Sequence, residues 1–266
     1  MSSPQNSWPE PGLTPEPVPL ATPALVENPI WSGIDLLQLI GIIFAAMALV
    51  PLAILGLAHL TLYKRLPISR IADVPEILLI AQLIIYAVVF AAMRWLVRSR
   101  GGELFSAIRW NWPARPSNFL LLGVVVYFIL IGLSQLLPIP KHLPIDRFFQ
   151  TAREAGIMSI IAVTLAPFME ELFFRGFLYP VLVRRMGTVA AILLTSALFG
   201  LLHGAQLGYS WAVLVIFLVG IALTTVRAVT KSVASSFLVH VGYNATLSIL
   251  LFAATSGFRH LERLNQ

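Results

Sequence analysis

The longest uncharged stretch of the chain, residues 186–226, limits the possible folds more than any other feature. It contains 41 consecutive residues without Lys, Arg, Asp or Glu. A helix that crosses a membrane needs about 20 apolar residues, so this stretch is long enough for two crossings. A polar, glycine-rich segment at residues 204–210 divides it near the middle and is typical of a turn. The stretch therefore predicts two membrane helices joined by a short loop.

Composition extends this interpretation to the whole chain. Hydrophobic residues make up 58% and charged residues only 11% of the sequence, and the mean hydropathy is +0.85. An average soluble domain has about 25% charged residues, so the lipid bilayer is the expected solvent. The alternative is a soluble protein with a large apolar core, and uncharged runs of more than 18 residues argue against it. The net charge of +6 is scattered between apolar segments, which favours basic residues at helix ends over nucleic-acid binding. The chain has no cysteine, which excludes disulfides, thiolate nucleophiles and cysteine-ligated zinc.

The uncharged segments predict an all-α, polytopic transmembrane bundle of about seven helices, with an eighth as the alternative. The predicted spans are residues 36–63, 77–97, 116–140, 155–179, 187–203, 210–226 and 232–252. Eight prolines and neither Lys nor Arg predict a disordered tail rather than a signal peptide at residues 1–30. We expect the membrane bundle at residues 31–256 and a short polar tail at residues 257–266.

The basic loops predict an orientation in the membrane. The second span and the loop after it hold five arginines from Arg94, near the end of the span, to Arg115, and basic loops stay on the cytoplasmic side. This places the N-terminus in the cytoplasm, although a basic segment at residues 64–70 favours the opposite orientation. If the organism is bacterial, the predicted location is the plasma (inner) membrane.

Three charged residues interrupt the fourth span and indicate a functional site. Each charge at the bilayer centre costs about 2.5–3.5 kcal/mol on insertion scales, so charges there usually mark a pathway or a site. Glu171 and Arg175 are four residues apart and can pair on one face of a helix. Glu170 points about 100° away and does not share this arginine. The two acids are therefore expected to differ in protonation. Pro167 predicts a kink just before them. The alternative is an ion pair that only fixes helix packing.

Two further spans carry polar groups suited to hydrolysis. His203 closes the fifth span, and His240 and Asn244 share one face of the seventh. A carboxylate can activate water, an imidazole can share its proton, and an amide or imidazole N–H can stabilise an oxyanion. Singly, each histidine is as well explained by an interfacial or helix-packing role.

Together, these residues resemble the type II CAAX prenyl proteases and bacteriocin-processing enzymes, also called the ABI or CPBP family. Three family motifs, EExxxR, FxxxH and HxxxN, occur in the family's order across residues 157–252, within the predicted catalytic core at about residues 155–252. They are formed by Glu170, Glu171 and Arg175, by Phe199 and His203, and by His240 and Asn244. The first 150 residues contribute nothing diagnostic.

The resemblance implies an intramembrane endopeptidase with about eight helices around an interior catalytic cavity. Glu170 and His203 would activate water, His240 and Asn244 would form the oxyanion hole, and Glu171 and Arg175 would shape the site. The implied partner is a membrane-associated protein or peptide substrate within the lipid bilayer, with no nucleic acid. No cofactor is expected, since the HExxH zinc motif is absent from the sequence.

Three alternatives remain at this point. One divalent metal, most naturally zinc, could be bound by Glu170, His203 and His240, making the protein a metalloprotease. A scaffold or immunity protein could retain the fold without activity. A transporter could also use an acid–arginine pair within the membrane.

Overall fold

The computed structural model describes residues 27–72 and 74–262, and within these ranges the chain forms helices and loops without any β-strand. Six helical segments are long and apolar enough to cross a membrane, and a seventh apolar segment is shorter. The prediction of a polytopic all-helical bundle is confirmed.

The first part of the chain contains three long helices and two short ones. They are α1 (Gly33–Thr61), α2 (Ile68–Ile71), α3 (Pro75–Ser99), α4 (Leu104–Ala107) and α5 (Pro116–Ser134). The third predicted span ends at Ser134 because Pro138 and Pro140, which follow it, provide no backbone N–H for a helix. A short 3₁₀ turn at Pro144–Phe148 leads into the second part.

The second part carries all the polar groups singled out in the sequence. It consists of α6 (Ala152–Val163), α7 (Leu165–Glu171), a π-helix (Leu172–Leu178), α8 (Tyr179–Met186), α9 (Thr188–Leu202), α10 (Ala212–Thr230) and α11 (Val233–Ala254). Residues 152–186 form one 35-residue segment that is long enough to cross the membrane. The fourth span therefore continues well past the predicted boundary at residue 179. Helix α9, with 15 residues, is the short one.

Glycines allow the closest helix contact in the bundle, where α11 packs along α5. A methyl group added at Gly123 would lie 2.2 Å from the carbonyl oxygen of Val239. One added at Gly242 would lie 2.2 Å from the carbonyl oxygen of Leu120. Only glycine allows the two backbones to approach this closely, as is common between membrane helices. This contact holds α11, and with it His240, against the N-terminal half of the chain.

Hydrogen bonds between loops identify the two ends of the bundle. At one end, which we call the N-side end, the connection before α5 meets the start of α11, with Val233 N donating to Arg109 O at 3.1 Å. Residues 27–33 lie at this end too, since Glu27 pairs with Arg227. At the opposite end, Ile145 N donates to Gln206 O at 3.0 Å. The α9–α10 loop, which begins with His203, lies at this opposite end.

The predicted terminal tails fall largely or partly outside the described residues. Residues 1–26 of the Pro-rich tail and residues 263–266 of the polar tail are not described. The last four residues of the Pro-rich tail are non-helical, and Glu27 among them is buried. Phe258 of the polar tail is also buried and stacks edge-on against Phe252.

Candidate active site

A broken helix places the two acids. Pro167 has no N–H to bond the carbonyl of Val163, and the chain leaves the α-helix at Thr164, with ψ −74°. The helix resumes at Leu165, and a π-helix begins directly after Glu171. The π-helix is rare and tends to occur at functional sites, because it re-aims side chains without ending the helix. The kink predicted from Pro167 is confirmed, and the charges lie within the helical segment rather than in a loop.

Glu171 lies in the buried core and is fully occupied by partners. Its Oε1 accepts from Arg175 Nη1 at 2.8 Å and lies 3.0 Å from His240 Nδ1. Its Oε2 accepts from the Ser236 hydroxyl at 2.6 Å. Neither Glu171 nor Arg175 exposes any side-chain surface. The predicted ion pair is thus present, and three donors from two helices hold this carboxylate.

Arg175 is held equally firmly by the neighbouring helix α10. Its Nε donates to Thr224 Oγ1 at 3.2 Å, and its Nη2 donates to the Gly220 carbonyl at 3.1 Å. The guanidinium also lies over the Phe199 ring, 4.6 Å from its centroid. These contacts place Arg175 at the junction of three helices, where a buried charge needs full hydrogen bonding to be tolerated.

Glu170 faces a different environment, between two histidines. Its Oε1 lies 3.7 Å from His203 Nε2, and its Oε2 lies 3.7 Å from His240 Nε2. These separations exceed a direct hydrogen bond and leave room for a further group, such as a water molecule. Glu170 and His203 are 18% and 20% exposed, so the three side chains meet at an accessible surface. The structure therefore brings together Glu170, His203 and His240, as predicted.

The hydrogen bonds of the two Nδ1 atoms show that this nitrogen carries a hydrogen in both histidines. His203 Nδ1 lies 2.9 Å from the carbonyl oxygen of Phe199, which can only accept, so this nitrogen carries a hydrogen. His240 Nδ1 faces the Glu171 carboxylate and carries a hydrogen for the same reason. A neutral imidazole then has a lone pair on Nε2, whereas an imidazolium has a donor there. His240 lies between the carboxylates of Glu170 and Glu171.

Asn244 makes a contact that its predicted role does not include. Its Nδ2 donates to the carbonyl of Ala162 at 2.6 Å. That carbonyl precedes the break at Thr164, where the regular helical hydrogen bonds are interrupted. Asn244 thus ties α11 to the break that positions the acids. An amide nitrogen has two hydrogens, so the second remains for the predicted oxyanion role.

The site lies deep in the bundle. His240 is the eighth residue of the 22-residue helix α11, about 11 Å from its start at 1.5 Å per residue. At the position of the predicted interior cavity, Glu170 and His203 lie on a partly exposed surface. Two open hollows lie elsewhere, one between α6 and α11 beside Phe258 and one between α1 and α3.

A metal centre was the alternative use of Glu170, His203 and His240. In residues 27–72 and 74–262, no group of three or more His, Asp or Glu side chains has an arrangement that could hold a metal ion. The donor geometry thus gives no support to the zinc alternative, and metal independence remains a prediction.

Comparison with known proteins now adds to the geometry. Residues 153–246 match the family model described as type II CAAX prenyl endopeptidase Rce1-like. This segment is similar to the type II CAAX prenyl endopeptidases. The match covers about a third of the chain and includes all three motifs, so the resemblance seen in the sequence is confirmed. No curated protein and no solved structure gives a significant match to the chain.

Sequence reasoning missed several residues that hold the site of this Rce1-like segment. Ser236, Thr224 and the Gly220 carbonyl complete the shell around Glu171 and Arg175. Ser236 had a detectable signal, because it precedes His240 by four residues and shares its helix face. Thr224 and Gly220 had none, since their role depends on how α10 packs against the π-helix.

Proposed function

We propose that this protein is an intramembrane endopeptidase that hydrolyses a peptide bond of a membrane-associated protein or peptide. The observation that carries the proposal is the position of Glu170, with each carboxylate oxygen 3.7 Å from a histidine Nε2 at a partly exposed site within the helix bundle. The family match supports a protease at this level. A scaffold or a transporter would need only the Glu171–Arg175 pair and gives no reason for the two facing imidazoles.

In the proposed mechanism, Glu170 is the general base. Its carboxylate takes a proton from a water molecule as the water oxygen bonds to the peptide carbonyl carbon. His203 Nε2, whose lone pair faces the same space, orients that water. Glu170 then returns the proton to the amide nitrogen as the C–N bond breaks. The products are a new carboxyl terminus and a new amino terminus, so atoms and protons balance.

His240 stabilises the negative charge that develops on the carbonyl oxygen. As an imidazolium, it donates from Nδ1 to Glu171 and from Nε2 to the oxyanion. The negative charges of Glu170 and Glu171 together equal the positive charges of Arg175 and His240, so the site has no net charge. Asn244, with the amide hydrogen not used by Ala162, is the proposed second oxyanion donor.

The mechanism needs no metal. The absence of an HExxH motif from the sequence supports this choice. Metal analysis of the purified protein tests it, because a metalloprotease would contain about one zinc per chain that Glu170→Gln and His203→Ala both lose. Zinc retained by wild type and lost by both variants would make these residues ligands and replace Glu170 as the activator of water.

The direct test of function is cleavage of a membrane-tethered peptide by the purified protein. In H₂¹⁸O, hydrolysis puts one ¹⁸O into the new carboxyl terminus, which mass spectrometry detects. Glu170→Gln is the matched inactive control. Comparing a prenylated CAAX peptide with the same peptide lacking the prenyl group shows whether the substrate named by the family applies here. No cleavage of any tethered peptide would favour the scaffold alternative.

A further inference from the structure

A second polar cluster lies at the N-side end of the bundle, away from the proposed active site. Glu27 is buried, and its Oε1 accepts from Arg227 Nη1 at 2.8 Å and from Arg109 Nη1 at 3.3 Å. Its Oε2 accepts from Arg227 Nη2 at 3.3 Å, and Lys231 Nζ lies 4.0 Å from Oε1. We call these four residues the Glu27 clasp. It joins the segment before α1 to α10 and to the connection before α5.

The Glu27 clasp has an excess of positive charge. Three cations surround one carboxylate, which leaves a formal charge of +2. Two more arginines lie beside the same segment, since Arg184 donates to Asn28 at 3.4 Å and the Arg185 guanidinium packs on Gly33. Uncompensated cations held this closely repel one another unless an additional anion joins them.

Two of the cations remain accessible. The side chains of Arg109 and Lys231 are 36% and 46% exposed. Both residues adopt the left-handed backbone conformation, with φ of 62° and 55°. At Lys231 this conformation ends α10, and the Lys231 N–H donates to the Arg227 carbonyl. The backbone of Arg109 is held by the hydrogen bond from Val233 N to Arg109 O.

Two buried hydrogen-bond donors within and beside the Glu27 clasp do not bond Glu27. Arg227 Nε and the Tyr179 hydroxyl are buried without a hydrogen-bond partner in the described part of the chain. The Arg227 guanidinium lies 5.6 Å from the centre of the Tyr179 ring. A buried donor without a partner is costly, so its presence indicates a site with capacity for a further acceptor.

The position of the clasp indicates which anions reach it. It lies at the turn between α10 and α11, and the adjacent connection carries Trp112, which is largely exposed. Tryptophan and arginine together are typical of the lipid headgroup level. The predicted orientation places this end in the cytoplasm, where the membrane leaflet carries anionic lipids.

We propose that the Glu27 clasp binds a phosphate-bearing anion, the headgroup of an anionic phospholipid. Arg109 and Lys231 contact the phosphate from the membrane surface, and Arg227 supplies the buried positive charge. The Glu27 carboxylate is a built-in competitor that neutralises the site in part. Inorganic phosphate shares the chemistry, so the two sources have to be separated by experiment.

The test is a melting curve of the full-length protein in neutral detergent. Phosphatidylglycerol should raise Tm by about 3–5 °C at ten times its dissociation constant, whereas phosphatidylcholine should not. Arg109→Gln with Lys231→Gln should lose this rise, and 0.5 M NaCl should reduce it in wild type. Lys64→Gln with Arg65→Gln, which removes two exposed cations at the opposite end, should keep it.

Glu27→Gln gives a test with the opposite sign. Removing the competing carboxylate should lower Tm without lipid but increase the rise that phosphatidylglycerol produces. Equal stabilisation of wild type and the Arg109/Lys231 double variant would overturn the proposal, as would loss of the lipid effect in Glu27→Gln. An equal rise with inorganic phosphate at millimolar concentration would assign the site to a free anion and overturn the lipid assignment.

Discussion

Two neighbouring glutamates in one helix occupy opposite environments. Glu171 is fully buried, and Arg175, His240 and Ser236 occupy both of its oxygens. Glu170 is partly exposed, and each of its oxygens faces a histidine Nε2 across a 3.7 Å gap. Three donors thus contact the two oxygens of Glu171, whereas both oxygens of Glu170 can accept from a further donor such as water. This difference is the basis of the proposal that Glu170 takes part in catalysis and that Glu171 stabilises the fold.

The largest expected effect on folding comes from the buried side of this comparison. Glu171→Gln leaves Arg175 buried without a counter-ion, and breaking such a pair costs roughly 3–5 kcal/mol. We expect Tm in detergent to fall by roughly 6–20 °C. The double variant Glu171→Gln with Arg175→Met removes the unpaired charge and should recover part of the loss. A double variant less stable than the single one would show that the pair is not the source of the effect.

Loss of the oxyanion donor should affect turnover rather than binding. His240→Ala should lower kcat by about 10²–10³, because its Nε2–H acts on charge that develops only in the transition state. Asn244→Ala should lower kcat too, and should also reduce stability because Asn244 holds the Ala162 carbonyl at the helix break. Steady-state kinetics separate the two parameters. A defect in His240→Ala confined to KM would count against the oxyanion role.

Ser236 sharpens the comparison further, because its hydroxyl bonds Glu171 and has no contact with Glu170 among its hydrogen bonds. Ser236→Ala removes the 2.6 Å hydrogen bond to Glu171 Oε2, and a hydrogen bond to a charged group contributes about 1.5–3 kcal/mol. We expect a smaller fall in Tm than for Glu171→Gln, with measurable cleavage retained. Ser235→Ala, on the same helix but without this contact, is the control. Complete inactivation without loss of stability would place Ser236 in the chemistry instead.

The smallest effect concerns orientation and leaves activity unchanged. Phe105 lies near the N-side end and is 42% exposed. If that end is cytoplasmic, Phe105→Cys should resist an impermeant thiol reagent in intact cells and react after permeabilisation. The chain has no cysteine of its own, so the background is zero. Labelling in intact cells would reverse the assignment.

Helical periodicity predicted most of this site. Four-residue spacings predicted the Glu171–Arg175 pair and the shared face of His240 and Asn244, and the missing N–H of Pro167 predicted the break. The π-helix at Leu172–Leu178 had no comparable signal, since it arises from packing rather than from a residue pattern.

Contacts between segments that are far apart in the sequence could not be predicted from local sequence patterns. The contact of Asn244 with Ala162 depends on where α11 crosses α6. Proline-rich composition likewise predicted a featureless tail and gave no partner for Glu27, whose partner Arg227 lies 200 residues away. Such contacts depend on tertiary packing, which a single sequence does not specify.

The central claim is that Glu170 acts as the general base and that Glu171 stabilises the fold. The most direct test compares Glu170→Gln with Glu171→Gln in two assays, a melting curve in detergent and cleavage of a membrane-tethered peptide. Glu170→Gln should melt like wild type and lose activity by about 10²–10⁴, the usual contribution of a general base. Glu171→Gln should lose both stability and activity. Equal losses of stability in the two variants, or appreciable cleavage by Glu170→Gln, would contradict this division of roles.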